Sequence, residues 1–167
     1  GRLAVGRGPG MRVGFGLDAH RFGGDPPIVL GGVVVDDTRG LEATSDGDVA
    51  VHALVDALLG AAALGDLGHH FPSSDRRWHG AASLDLLVHT VGLLADRGWR
   101  VGNVDVTIVA QSVRVGPHRE AMAARLAEVL GVDVGAVSVK ATTTDGLGAL
   151  GRGEGIAAHA VASIEPS

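Results

Sequence analysis

The sequence contains no cysteine, which excludes a disulfide framework, a thiolate zinc site and a cysteine nucleophile together, so that any metal must be held by His, Asp or Glu. It has no apolar run approaching the roughly 20 residues of a membrane helix, and its first residues do not follow the charged, apolar, small-residue order of a secretory signal. A bacterial, cytoplasmic protein is the expectation. Lysine is nearly missing: Lys140 is the single one among 14 basic residues, a bias that reads as GC-rich coding. The basic residues are scattered and the formal net charge is -5, so the stripe that a nucleic acid or an anionic membrane requires is absent. A small molecule is the expected partner.

What is present is a chain of 167 residues, 46% of them hydrophobic, enough to bury the core of one domain. Residues 1–10, rich in Gly and Arg around Pro9, read as a tail, an interdomain linker or an expression remnant, and residues 11–167 as the domain. Short Val-rich runs bounded by Gly and Pro predict strands over 11–17 and 28–35. Ser45 with Asp48 three residues on resembles a capping box opening a helix over 47–64, with Val51, Val55, Leu58 and Ala62 as its buried stripe. A second amphipathic helix is expected over 81–96, and then a strand over 104–110 in which Asp105 and Thr107 alternate with apolar residues. A third helix runs from Pro117, favoured in a first turn, to Gly131, and strands over 137–141 and 156–164 close the chain. This order, β-β-α-α-β-α-β-β, does not alternate as a doubly wound sheet does. It points to an α+β domain with a mixed four- to five-stranded sheet and helices packed on one face.

Two clusters carry chemistry. Asp18 and His20 stand two apart at the end of the first strand, which puts both side chains on one face. Asp48, His52 and Asp56 lie at i, i+4 and i+8 on the first helix, either as a solvated face or as part of a site. Asp18, His20 and His52 together supply two imidazoles and a carboxylate, the ligand set of a catalytic zinc with an open fourth position. Asp48 or Asp56 would then orient a ring through its other nitrogen. The second cluster is TTTDGLGALGRGEG, residues 142–155, whose glycines match G-x-G-x-x-G. The segment after it reads as a strand and not a helix, so a dinucleotide fold fails on context. The cluster reads instead as a diphosphate cradle, in which Thr142, Thr143 and Thr144 offer hydroxyls, Arg152 a fork and Asp145 a carboxylate for a divalent ion. The plainer alternative is a glycine-rich turn carrying an exposed Arg152–Glu154 ion pair.

The blocks GFGLDAHRF, SDGDVAVHALVDALLGAAALGDLG, HHFPSSD, GNVDVTIVAQS and KATTTDGLGALGRGEGIA resemble, in content and order, the 2-C-methyl-D-erythritol 2,4-cyclodiphosphate synthases. The resemblance implies a homotrimer with active sites between neighbouring subunits, and zinc at Asp18, His20 and His52. It implies a second metal, magnesium or manganese, near Asp145, with Thr143 beside it in catalysis. The substrate would be 4-diphosphocytidyl-2-C-methyl-D-erythritol 2-phosphate. By the same carry-over, Asp66, Gly68, Phe71, Ser73 and Asp75 bind substrate, while Ala110, Arg114, Val115, Gly116, Thr142, Thr143 and Asp145 surround its cytidine diphosphate part, with Ala149 and Arg152 as further ligand positions. No protein nucleophile is needed, since the 2-phosphate attacks the β-phosphoryl group and cytidine monophosphate leaves. Thr44 stands where such synthases commonly carry His, Asp145 where Glu is usual, Arg114 where Lys is frequent, and Ala149 where a larger residue such as Phe is often found. Two other readings use the same residues: a metal-dependent phosphohydrolase, and a non-catalytic trimer that binds zinc and an isoprenoid phosphate. A cytidylyltransferase fused or associated at the N-terminal side is a further expected partner.

Overall fold

The computed structural model describes residues 10–167, so the tail expected over residues 1–10 lies, but for Gly10, outside the described residues. Two glycines set the architecture. Gly14 and Gly16 lie in strand β1 (Arg12–Arg21) on the face covered by helix α1 (Val49–Ala61). A Cβ at Gly14 would collide with the carbonyl oxygen of Ala57, and one at Gly16 with that of Ala53. Without those carbons the strand backbone rests directly on the helix backbone.

Strands β4 (Trp99–Val109), β5 (Val137–Thr142) and β6 (Gly155–Pro166) complete a four-stranded sheet in the order β1-β6-β4-β5. β6 pairs antiparallel with both β1 and β4, whereas β4 and β5 are parallel. The parallel pair is joined through helix α4 (Arg119–Leu130), as a parallel connection requires a crossover. Helix α3 (Ser83–Ala95) packs on α1. The expected α+β class and mixed sheet are thus present, with four strands in the main sheet.

Several elements differ from expectation. The strand expected over 28–35 is a hairpin, β2 (Ile28–Leu30) and β3 (Val33–Asp36), because Gly31 and Gly32 both adopt positive φ and form its two-residue turn. β1 continues past Leu17 to Arg21, so Asp18 and His20 lie within the strand. The third helix begins at Arg119, since Pro117 sits in a separate 3-10 turn, Gly116–His118, and it ends as expected at a left-handed Gly131. Two short helices add to the expected elements, α2 (Leu67–His70) and α5 (Gly148–Gly151). The stripe Val51, Val55, Leu58 and Ala62 is buried, but so is nearly every other residue of α1, because sheet and α3 enclose it from both sides.

The capping box is also corrected. α1 starts after Asp48, which is itself the N-cap and accepts from the Val51 N–H at 3.0 Å. Its carboxylate further accepts from the N–H groups of Gly31 at 2.9 Å and Gly32 at 2.8 Å. Asp48 is 0% exposed and pins the hairpin turn to the start of α1. Burial pushes its carboxyl up to about 6, against the pull of those three donors.

The other face of β1 is unlike a water-facing surface. Val13, Phe15 and Leu17 are 60%, 61% and 53% exposed, and Val161 stands opposite Phe15 on β6. Among the described residues no helix covers this stripe.

Replacing Asp48 by Ala strips a cap and leaves two buried N–H groups without an acceptor, so a loss of about 2–4 kcal/mol is expected on urea denaturation. A loss below about 1 kcal/mol would mean that water replaces the carboxylate.

Candidate metal centre and adjoining cleft

The glycine contact fixes where the polar side chains of β1 and α1 meet. Asp18 and His20 succeed Gly16 at two-residue steps on the same face of the strand, and His52 precedes Ala53 on the helix. His20 Nε2 lies 3.0 Å from Asp18 Oδ2, His52 Nδ1 lies 2.9 Å from the same oxygen, and the two ring nitrogens are 3.4 Å apart. Three donors around a tetrahedral ion at about 2.0–2.1 Å stand roughly 3.3 Å from one another. A small outward shift of the Asp18 oxygen therefore gives a facial three-ligand site with room for a fourth ligand, and the residues fit a divalent ion.

Each ring is held from behind. His20 Nδ1 donates to the carbonyl oxygen of Glu42 at 2.9 Å. His52 Nε2 lies 2.8 Å from Ser83 Oγ and 3.2 Å from Ser45 Oγ. The expectation that Asp48 or Asp56 orients a ring is not met. Asp48 is consumed by the hairpin turn, and Asp56 Oδ1 accepts from the Leu67 N–H at 2.7 Å, capturing the start of α2. Sequence reading missed Ser83 and Glu42 because they reach the rings from 31 and 22 residues away.

Electrostatics accord with the geometry. Burial works against ionising Asp18, yet hydrogen bonds from His20 and His52 outweigh it and hold the carboxyl well below the usual carboxylate range. The bond to Asp18 raises His20 above its ordinary value against the cost of desolvation. Burial likewise raises Asp56, the Leu67 N–H opposes it, and the charges of Asp66 and Asp18 add to the rise.

A cleft of about 360 Å³ opens beside the triad, lined by Asp18, His52, Asp56, Asp66, Leu67 and Gly68. Asp66 also caps α2 through the His69 N–H. On the other side of His52 a cavity of about 60 Å³ is walled by Thr44, Ser45, Phe71, Ser73, Trp78 and Leu86, among others. Phe71 is buried there edge-on against Trp78 and His89, so His89 supports the cavity wall. Asp75 does not line either space: it caps the turn Arg76–Trp78 and is paired with Arg77 at 2.6 Å.

The remaining predicted residues gather elsewhere. Ala110 donates its N–H to Thr142 O at 3.0 Å, and Gly146 N reaches Gln111 Oε1 at 3.4 Å, so the ends of β4 and β5 form a second cluster with Thr143 and Asp145. Asp145 adopts φ 55, a left-handed conformation unusual for a residue with a side chain. Ala110 and Val115 are buried in the core, while Arg114 and Gly116 are exposed. Arg152 forms the exposed ion pair with Glu154 at 3.0 Å. Ala149 on α5 lies instead in a cleft with His20, linking that short helix to the triad side. Thr142 ends β5 and Asp18 and His20 lie on β1, the opposite edges of the sheet, with β6 and β4 between them.

Comparison with known proteins gives one consistent picture. Residues 11–165 match the YgbB family. A 2-C-methyl-D-erythritol 2,4-cyclodiphosphate synthase of Pseudomonas aeruginosa is 60% identical over 92% of this chain and 98% of its own. Among solved structures, the bifunctional IspDF of Campylobacter jejuni aligns with TM-score 0.91 and 39% identity over 94% of this chain, which spans only 42% of that longer protein. A CDP-bound form of a 2C-methyl-D-erythritol-2,4-cyclodiphosphate synthase aligns with TM-score 0.84 and 34% identity, over 92% of this chain and all of the other.

Among the shifted groups, His20 and Asp18 set the pH dependence of the metal-free triad, and the Asp48 carboxyl, raised to about 6, adds a loss of stability as pH rises through that value. His20 is raised from 6.5, so its stabilising share is complete below that value and is lost as pH climbs through the raised one. Asp18 is lowered from 3.8, so its share persists above that value and is lost only in strong acid. Calorimetry of the metal-free chain should give a higher melting temperature near pH 6 than near pH 8, with the difference reduced in His20→Gln. An unchanged difference in that variant would remove His20 as its source.

Proposed function

The chain belongs to the YgbB family, and from that membership we infer that it is the enzyme its relatives are named for. It converts 4-diphosphocytidyl-2-C-methyl-D-erythritol 2-phosphate to 2-C-methyl-D-erythritol 2,4-cyclodiphosphate and releases CMP. The observation that carries this reading is the triad Asp18, His20 and His52, whose donor atoms already stand at ligand spacing beside a polar cleft.

Asp18, His20 and His52 would hold zinc, with a magnesium or manganese ion near Asp145. Bound there, the two ions withdraw charge from the reacting phosphoryl groups. The chain's own residues do the rest by position. Asp66 and Gly68, on the cleft beside the triad, would receive the methylerythritol end, with the Asp66 oxygen not engaged by His69 accepting from its hydroxyls. Thr142, Thr143 and the Asp145 turn take the cytidine diphosphate end with backbone and hydroxyl donors, aided by the exposed Arg114. Holding both ends folds the substrate so that its 2-phosphate approaches the β-phosphorus, replacing an entropically costly encounter with a fixed one. Phe71, packed on Trp78 and His89, closes the apolar side and keeps water from that phosphorus.

These roles require two chains to complete one site. The triad and the Thr143–Asp145 cluster sit at opposite edges of the sheet, and the apolar stripe Val13, Phe15, Leu17 and Val161 faces out on the sheet face that helices leave bare. Both features support a homotrimer in which the triad of one subunit faces the nucleotide cluster of the next. A fused or associated cytidylyltransferase is a further proposal, supported by the bifunctional relative.

Phosphorus NMR tests the reaction. Incubation with substrate, zinc and magnesium should yield two coupled resonances of a cyclic diphosphate together with CMP, at a rate reduced by about 100-fold or more in His52→Ala. An open-chain product would replace the synthase by a phosphohydrolase. The assembly has its own test: Phe15→Glu places a charge in the apolar stripe, and sedimentation should show its trimer dissociating while each chain still binds zinc. A variant that remains trimeric would place the interface elsewhere.

A further inference from the structure

In the metal-free protein His52 Nδ1 hydrogen-bonds to Asp18; it can coordinate a cation only by giving up that proton, which leaves the ring proton on Nε2, and the structure shows the acceptor that faces Nε2. Nε2 faces Ser83 Oγ at 2.8 Å, and Ser83 Oγ in turn hydrogen-bonds to Asp46 Oδ1. Ser83 is completely buried at the start of α3, so no water competes for its hydroxyl. The other oxygen of Asp46 accepts from the Ser83 N–H at 2.9 Å, and its Oδ1 also receives the Asp48 N–H at 3.2 Å. A carboxylate can only accept. The Ser83 hydroxyl must therefore donate to Asp46, which leaves its lone pairs as the acceptor for Nε2–H.

We propose that Asp46 and Ser83 are positioning residues for the metal centre, a directional relay that fixes the His52 tautomer and aims Nδ1 at the ion. The inference rests on the proposed metal role of Asp18, His20 and His52. Ser45 Oγ, at 3.2 Å from Nε2, is a weaker partner: it also accepts from the Gly47 N–H at 3.3 Å and has no carboxylate behind it to set its direction. The relay also links distant parts of the chain, since Asp46 precedes α1 and Ser83 opens α3. The metal site thus depends on how α3 docks against α1, although α3 contributes no ligand.

Two variants separate this role from general packing. Ser83→Ala removes the acceptor behind Nε2. Asp46→Asn keeps the shape, but its amide can donate to Ser83 and reverse the direction of the relay. Zinc affinity, read by competition with a chromophoric chelator, should fall about 10- to 100-fold in each. In the zinc-loaded wild type the His52 Nε2–H should give a downfield, slowly exchanging proton signal, shifted upfield or lost to exchange in both variants. Should Ser83→Ala fail to fold, Asp46→Asn decides alone. Affinity within twofold of wild type in the folded variants, with the proton signal unmoved, would overturn the relay while leaving the metal centre standing. A wild type that binds no zinc would overturn both.

Discussion

Everything at the site depends on the backbone-to-backbone contact between β1 and α1. Two residues of strand advance about 6.6–6.8 Å and four residues of helix about 6 Å, so the two elements stay nearly in step. Gly14 against Ala57 and Gly16 against Ala53 are successive rungs of that alignment. Asp18 follows Gly16 on the same face of the strand, and its carboxylate meets His52, the helix residue just before Ala53. Side chains on the strand at positions 14 or 16 would push the helix away by the width of a methyl group, and the donors would no longer share an ion. Glycine is thus the residue that sets the ligand spacing, without touching any ligand.

The charge arrangement builds outward from this contact. Asp18 is the common partner of both imidazoles, lying 3.0 Å from His20 Nε2 and 2.9 Å from His52 Nδ1. Behind the rings stand a backbone carbonyl for His20 and a hydroxyl for His52. These partners are different in kind. Glu42 O is fixed by the pairing of Glu42 N with Arg21 O at 2.9 Å, part of the same strand that carries His20. Ser83 belongs to another helix, so its alignment is a property of tertiary packing.

What could be read in the sequence divides along the same line. Asp18 and His20 were legible because a two-residue step on a strand has only one geometric meaning, and His52 because its residue type and helical position complete a ligand set. The stripe Asp48, His52 and Asp56 was legible only as a pattern. Its three members turn out to serve a hairpin turn, the contact with Asp18 and the start of α2. Helical spacing says which residues share a face but not what stands opposite. The hairpin at Gly31 and Gly32 carried a recognisable two-residue turn signal, yet the continuous apolar run around it favoured a single strand. Asp46 and Ser83, 37 residues apart, left no periodic trace, since their meeting is decided by helix docking.

The aromatic cavity wall has one more consequence. The chain has no tyrosine and two tryptophans, so its indole emission arises from Trp78 and Trp99 alone. Trp99 lies at the start of β4 beneath the Arg12 guanidinium, far along the sheet from the site. Trp78 packs edge-on against Phe71, with an indole N–H that is buried and has no partner among the described residues. The protein therefore carries an intrinsic optical probe in the loop beside His52, whose emission wavelength tracks the polarity of that small cavity, while the second indole serves as an internal reference.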